Sequence, residues 1–390
     1  MVVRQCQMNP SNPSSPLARS GLVYAPENFY SLNATSALFF SKYNDPNEDS
    51  YWYWYGKVAG SLVDDVEPSD GLWVDPQDIE QFGLFMWLSG PDIGPWWHYD
   101  QDHNFYVQVA GTKRFILIPP WETPNMHLYP QIHPRNHKSQ VDFDRPDFKT
   151  TPNYANVSEA YVAELKPGEV LYIPPYWWHH VRSHVRSVSL ASWSQSGVYR
   201  VMRYGLYKRK FAVDQLPIGE VRRAAFRLLL QQIANNIYGK DNTFFKSLIQ
   251  QRWEPIRVEV ESNAKSWNAL ANKDGSVDTP FKDLVDSLCG NNVGNAHVDG
   301  TPTEAESESN SHHKQSISDE LRVMIMDDVK AAVEAFENCQ TKSGAGNKGI
   351  GKDRRDMKAI RDTEFGDFTE FMLEIEVGAE NVLPFLDHCL

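Results

Sequence analysis

The chain is poor in cysteine. Its four residues, Cys6, Cys289, Cys339 and Cys389, are scattered and fall into no CxxC or Cys/His zinc spacing. That argues against a disulfide-built scaffold and fits a reducing compartment. Long apolar runs are missing too: none approaches the roughly 18 residues of a membrane span. The polar start "MVVRQCQMNPSNPSSPLARS" does not read as a secretory signal. The segment "TKSGAGNKGIGKDRRD" is rich in glycine and lysine but lacks the GxxxxGK[ST] spacing of a phosphate loop, and it reads as linker. Basic charge is also scarce. Of the formal net charge of −13, residues 1–255 contribute almost nothing, with 24 Lys+Arg against 25 Asp+Glu, while residues 256–390 hold 14 against 26. Neither part offers the net basic face that nucleic acid requires. These absences lead to the expectation of a soluble cytoplasmic or nuclear protein with no nucleic-acid or membrane partner.

What the chain does have is aromatic residues: 12 Trp, 17 Tyr and 19 Phe, mostly before residue 255. Residues 1–50 are rich in Ser, Asn and Pro and read as irregular. From "YWYWYGKV" (Tyr51–Val58) onward, short aromatic and β-branched runs alternate with Pro, Gly and Asp. "FGLFMWLSG", "NFYVQVAG", "KRFILIPP", "YVAELKPGEVLYIPP" and "SVSLASW" have the length and composition of strands. "VAGTKRF" places a glycine turn between two of them, as in a hairpin. The pattern predicts a mainly β domain over residues 51–200, a double-stranded β-helix of the jelly-roll type. Helical periodicity takes over in 201–255, with Val221, Leu228, Leu229, Ile233 and Ile237 on one stripe and Phe244, Phe245, Leu248 and Ile249 on another. Residues 256–390 read as an acidic extension, partly disordered around "NNVGNAHVDGTPTEAESESNSHHKQS". Two possible helices follow, one aligning Leu321, Ile325, Val329, Val333 and Phe336, the other Phe365, Phe368, Met372 and Ile375.

The chemistry is concentrated in "HYDQDHNFYVQVAGTKRFILIPP", His98–Pro120. His98 and Asp100 are two apart, so on a strand they point to one side. A histidine and a carboxylate at this spacing, joined by a distant histidine, make a 2-His-1-carboxylate facial triad, which holds Fe(II) and leaves three positions open. "LYIPPYWWHHVRS" offers the third ligand as His179 or His180, of which alternation lets only one point inward. Lys113 shares its side of a strand with Phe115 and Leu117. A lysine facing an apolar interior is costly unless a ligand charge pairs with it.

These segments, with "SQVDFDRPDFKTTPNYANV", resemble the JmjC-type Fe(II)/2-oxoglutarate dioxygenases. Within that family the asparaginyl hydroxylases that modify hypoxia-inducible factor are the nearest in pattern, from about Tyr51 to Trp253. The resemblance implies His98, Asp100 and His179 as iron ligands, with 2-oxoglutarate and O₂ as co-substrates. It implies that Lys113, Tyr53 (or Tyr55, of the same parity) and Asn104 hold the co-substrate. It places Trp193, Asp102, His137 and Lys138 against a protein substrate, such as an ankyrin-repeat-like or transcription-factor segment. It further implies a homodimer through residues 216–253, with Phe245 at the contact.

The implied reaction converts 2-oxoglutarate to succinate and CO₂ while hydroxylating an Asn, Asp or His side chain. Lysine demethylation and a non-catalytic binding role are the alternatives. Three departures from the family pattern stand out. Pro95 replaces a hydroxyl residue three positions before the first ligand, Ala191 replaces an asparagine, and His137–Lys138 replace an Arg-Gln pair.

Overall fold

The computed structural model describes residues 2–7, 29–33, 35–45, 50–59, 62, 65–66, 83–217, 219–263, 320–338 and 354–390. The chain forms two compact units. One comprises residues 1–129, 137–199 and 343–360; the other comprises 130–136, 200–342 and 361–390. Among the described residues no helix is long and apolar enough to cross a membrane.

The first unit has the mainly β, jelly-roll architecture expected. Its described residues form ten strands, β1 (Val2–Gln7), β2 (Phe29–Asn33), β3 (Ser50–Lys57), β4 (Leu84–Ser89), β5 (His103–Ala110), β6 (Lys113–Ile118), β7 (Tyr161–Leu165), β8 (Val170–Ile173), β9 (Trp178–Ser183) and β10 (Ser187–Ser194). They form a seven-stranded sheet in the order β2-β1-β3-β4-β10-β5-β8 and a three-stranded sheet in the order β7-β6-β9, every pairing antiparallel. Period-2 alternation decides which side chains enter the core. In β6, Lys113, Phe115 and Leu117 are buried while Arg114 is exposed. Phe115 and Leu117 meet Tyr106, Ile173, Val181 and Ala191 from the other strands in one apolar cluster.

One sequence expectation changes here. The turn in "VAGTKRF" does not close a hairpin, because β5 and β6 lie in different sheets. The chain crosses from one layer to the other at Gly111. This residue has φ +73°, and a Cβ on it would lie 2.3 Å from the carbonyl oxygen of Arg186. Local turn chemistry looks the same for a hairpin and for a corner of a jelly roll. Only the choice of partner strand separates them.

The N-terminal 50 residues also hold more structure than their composition suggests. β1 pairs with both β2 and β3. Helix α1 (Ser36–Asn44) is capped by Thr35, whose hydroxyl accepts the Leu38 N–H at 3.2 Å. It packs its buried Phe39 on Trp52 and Leu88.

The described residues of the second unit are mostly helical: α2 (Gly197–Met202) from residue 200, α3 (Glu220–Tyr238), α4 (Phe244–Leu248), α5 (Arg257–Asn263), α6 (320–338), α7 (Arg354–Val377) from residue 361, and α8 (Ala379–Cys389). The buried face of α3 runs through Phe226, Leu229, Leu230 and Ile233, whereas Val221 is 48 % exposed. On α7, Phe365, Phe368 and Met372 are buried as the periodicity predicts, but Ile375 is 54 % exposed and faces outward. The two linker segments expected at "NNVGNAHVDG…" and "TKSGAGNKGIGKDRRD" lie largely outside the described residues. Cys389 is disulfide-bonded.

Phe245, expected at a contact between two copies, is buried inside its own chain, 6 % exposed. Its ring lies 5.5 Å from Phe244 and 6.1 Å from Phe365 of α7, and Phe365 in turn meets Phe336 of α6 at 5.2 Å. Buried charge ties the same elements together. Arg252 bonds to Asp367 at 2.6 Å and Glu370 at 3.1 Å, and the Trp253 indole donates to Glu370 at 2.8 Å. Burial pushes the Glu370 carboxyl up to about 7 against the opposing pull of Arg252. Removing one member of such a cluster strands the others in a dry interior.

Phe245→Arg should therefore act as a core mutation. It forfeits the roughly 3 kcal/mol or more of a buried aromatic and strands a charge beside it. A thermal melt should show a drop in Tm of several degrees, with the mass by light scattering unchanged from wild type. A change of mass with Tm preserved would place Phe245 at a contact between copies instead.

Candidate metal centre and its cavity

The local backbone brings His98 and His179 together before any side chain is considered. His98 lies just before β5 and forms an isolated antiparallel bridge with His179, the second residue of β9. The His179 N–H donates to the His98 carbonyl at 2.7 Å, and the reverse bond is 3.2 Å. The two imidazoles consequently lie side by side, with centroids 4.0 Å apart.

Entry into β9 is set by "PPYWWH". After two prolines Tyr176 adopts φ +64°, a left-handed conformation that bulky residues rarely take. It is held there by its N–H on the Asp100 carbonyl at 2.7 Å and by its ring against Tyr99 at 5.6 Å. The same contact fixes the backbone of Asp100. Gly94 makes room nearby: a Cβ there would come within 1.5 Å of the Val181 carbonyl oxygen.

Ligand-capable atoms of His98, Asp100 and His179 all lie within 4.8 Å of one another. Each histidine offers its Nδ1 to the backbone carbonyl two residues earlier, His98 to Trp96 at 2.7 Å and His179 to Trp177 at 3.0 Å. A carbonyl only accepts, so Nδ1 carries the proton and Nε2 keeps its lone pair, which is the tautomer a metal needs. Burial, reinforced by His179, holds the His98 imidazole down to about 3 and therefore neutral. Burial works against ionising Asp100, but His179 and His98 outweigh it, and Asn104 and Trp193 add hydrogen bonds, so its carboxyl lies below the usual range. Asn104 Nδ2 reaches Asp100 Oδ2 at 3.4 Å, while Asn104 Oδ1 is buried without a partner. The donor set of two imidazoles and a carboxylate, with 31 % of the Asp100 side chain left exposed, fits a divalent transition metal with open positions.

Adjacent His180 points the other way. Its ring packs on Phe143 at 4.4 Å and Trp97 at 5.5 Å, and burial pushes it down to about 3. Strand alternation made one of the pair inward-facing; the bridge to His98 selects His179.

The triad opens on a cavity of about 210 Å³ between the two sheets. Lys113, Tyr53, Asn104, Trp193 and Lys138, all singled out from sequence, line it. Tyr55 lines it as well, so both tyrosines of that parity are present. Asp102 and His137 do not line it. The Asp102 carboxylate instead accepts the Ser196 N–H at 3.2 Å. His137 takes φ +60°, bonds Tyr99 N–H through its carbonyl and lays its ring 5.1 Å from Tyr99. Both support the backbone around the site.

Trp193 leans on Phe85 at 5.0 Å and Trp87 at 5.5 Å, forming an aromatic wall continuous with Tyr55. Sequence reasoning missed Trp87 and Tyr106 as cavity residues; Tyr106 shares the parity of Asn104 on β5, which carried that signal, whereas Trp87 is placed by its cross-strand pairing with Tyr55, which no local pattern announces. Pro95 lines the cavity and offers no hydroxyl.

Lys113 is 3 % exposed. Its ammonium reaches the Tyr106 hydroxyl at 2.6 Å, and among the described residues it has no carboxylate partner. Burial alone pulls it down to about 7.

Residues 16–197 match the family described as a cupin-like domain. Jumonji C domain-containing protein 5 of Drosophila melanogaster is 38 % identical over 134 residues, 34 % of this chain and 33 % of that protein. Lysine-specific demethylase JMJ30 of Arabidopsis thaliana is 38 % identical over 132 residues, 34 % of this chain and 30 % of that protein. tRNA wybutosine-synthesizing protein 5 of Gallus gallus is 38 % identical over 110 residues, 28 % of this chain and 32 % of that protein. The chain thus spans about a third of the length of these curated relatives. Among solved structures, the ribosomal oxygenase YcfD from Escherichia coli in complex with cobalt and 2-oxoglutarate aligns over 82 % of this chain and 55 % of its own, at 12 % identity and a TM-score of 0.27.

The two neighbouring histidines give a direct check on the centre. His179→Ala should reduce Co(II) affinity by more than the roughly 10–100-fold that follows loss of a ligand's hydrogen-bond partner. His180→Ala should leave the metal stoichiometry intact. Titration followed by visible absorption reads both, and equal loss in the two variants would mean that the centre lies elsewhere.

Proposed function

We propose that the chain is an Fe(II)- and 2-oxoglutarate-dependent oxygenase built on a cupin-like JmjC domain, and that it hydroxylates an Asn, Asp or His side chain of a protein. The observation that carries this reading is Lys113. An ammonium buried in the cavity that also holds the His98–Asp100–His179 triad needs an anion. A dicarboxylate that chelates a metal at one end supplies that anion at the other. Bound iron with 2-oxoglutarate would supply the oxidation of a C–H bond at the expense of dioxygen.

The chain's own residues hold, orient and shield. His98, Asp100 and His179 would hold the metal on one side only. Lys113 would fix the far carboxylate, with Tyr53 or Tyr55 nearby. The unpartnered Asn104 Oδ1 is a buried acceptor beside the ligand carboxylate. Trp193, Trp87 and Tyr55 present aromatic faces that exclude water and can flank an extended peptide.

Lysine demethylation is the second reading, since aromatic faces attract methylated ammonium groups. Lys138, in the cavity wall next to His98, weighs against it, because a second cation there repels the first. The named relatives differ in what their names say they act on, so similarity does not choose among targets. Lys138 favours a neutral or acidic side chain.

Incubation of the chain with Fe(II), 2-oxoglutarate, air and either an Asn-containing ankyrin-type peptide or a trimethyl-lysine peptide should add one oxygen to the first by intact mass, only when 2-oxoglutarate is present. Loss of a methylene from the second would move the protein to the demethylases.

The Lys113 reading also sets a pH dependence. A bound carboxylate raises the lysine above its unliganded value of about 7, so binding at higher pH must take up a proton. Affinity for 2-oxoglutarate should fall above pH 7, by up to about tenfold per unit until the bound-state pKa is reached. Calorimetry at pH 8 in buffers of different ionisation enthalpy should register uptake of up to one proton; no uptake would separate Lys113 from the ligand.

A further inference from the structure

Lys113 must stay aimed into the cavity and must keep its charge for a ligand. A carboxylate partner would hold it but cancel that charge. The partner the structure provides is a phenol. Tyr106 is 5 % exposed, and its Oη lies 2.6 Å from Lys113 Nζ. An ammonium only donates, so the phenol oxygen accepts. Burial pushes the Tyr106 phenol well above its ordinary value, so the group stays neutral.

Further buried polar groups lie behind that phenol. Gln108 Nε2 donates to the Ala110 carbonyl at 2.7 Å, which fixes the amide and makes its Oε1 an acceptor. Ser189 Oγ donates its single proton to that Oε1 at 2.9 Å. Ser189 lies beside the Tyr106 phenol and acts against the effect of burial on it. Lys113 therefore donates to Tyr106, and behind the phenol Ser189 donates to Gln108, which donates to the Ala110 carbonyl. Gln108 and Ser189 are fully buried. Opposite Tyr106 in the β10–β5 register stands Ala191, 0 % exposed, in the same apolar cluster.

We infer that Tyr106, backed by Ser189 and Gln108, is the positioning residue of the anion site, a neutral anchor that aims the Lys113 ammonium at the far carboxylate of the co-substrate without neutralising it. This rests on the dicarboxylate reading of the cavity given above.

Tyr106→Phe keeps the ring that packs 5.0 Å from Phe115 and removes only the hydroxyl. In the Mn(II)-loaded full chain, calorimetry should show 2-oxoglutarate binding weakened about tenfold, the scale of one charge-assisted hydrogen bond. Binding of 2-oxopentanoate, the same chelating head without the far carboxylate, should be unchanged. Ser189→Ala should weaken 2-oxoglutarate binding by a smaller factor, and Ser189→Thr, which keeps the hydroxyl, should restore it. Equal affinity of wild type and Tyr106→Phe for 2-oxoglutarate, or equal weakening for both ligands, would overturn the role of Tyr106. If wild type binds 2-oxopentanoate as well as 2-oxoglutarate, the dicarboxylate reading itself falls, and this inference with it.

Discussion

Everything at the site depends on one backbone pairing, the bridge between His98 and His179. Two main-chain hydrogen bonds bring residues 81 positions apart into register, and the ligand geometry follows from that register. A one-residue slip would replace His179 by His180 and turn the imidazole into the Trp97–Phe143 packing. The bridge is itself held by neighbours: Tyr176 in its left-handed turn on Asp100, the close approach of Gly94 to Val181, and Ser139 N–H on the Trp97 carbonyl at 3.0 Å. Preorganisation of this kind means that the chain orders its donors during folding and not at the moment a ligand arrives.

A second constraint runs through the cavity. The core cluster around Phe115, Leu117 and Val181 is apolar, yet Lys113 occupies the same face of β6. Folding tolerates this because a neutral phenol, Tyr106, meets the ammonium, and among the described residues no carboxylate compensates its charge. Strain and uncompensated charge in a well-packed unit are where function is concentrated, since nothing about stability alone would retain them.

The helical unit follows a different logic. Its aromatic cluster of Phe244, Phe245, Phe336 and Phe365 and its buried Arg252–Asp367–Glu370 group join segments more than 100 residues apart in sequence. Amphipathic periodicity announced α3, α6 and α7 as helices with one apolar stripe each. It left open what each stripe would meet. Ile375 and Val221 lie at the margin of such stripes, and the structure leaves both exposed.

The sequence alone determined the ligand types and, for residues on strands, which way they face. Lys113 in phase with Phe115 and Leu117, and a His-His pair after a Pro-Pro bend, are local facts, because side-chain direction in a strand repeats every two residues. The expectation that His98 and Asp100 share a strand does not hold: both precede β5, and they converge through the bridge of His98 to His179 and the Tyr176 N–H on the Asp100 carbonyl. Three matters were decided only by tertiary structure: the choice of His179 over His180, the crossing of β5 to β6 between sheets in place of a hairpin, and the burial of Phe245 within its own chain. Each is a choice of partner between distant segments. Alternation and periodicity say which way a side chain faces, but the partner it finds is fixed by the packing of the whole unit.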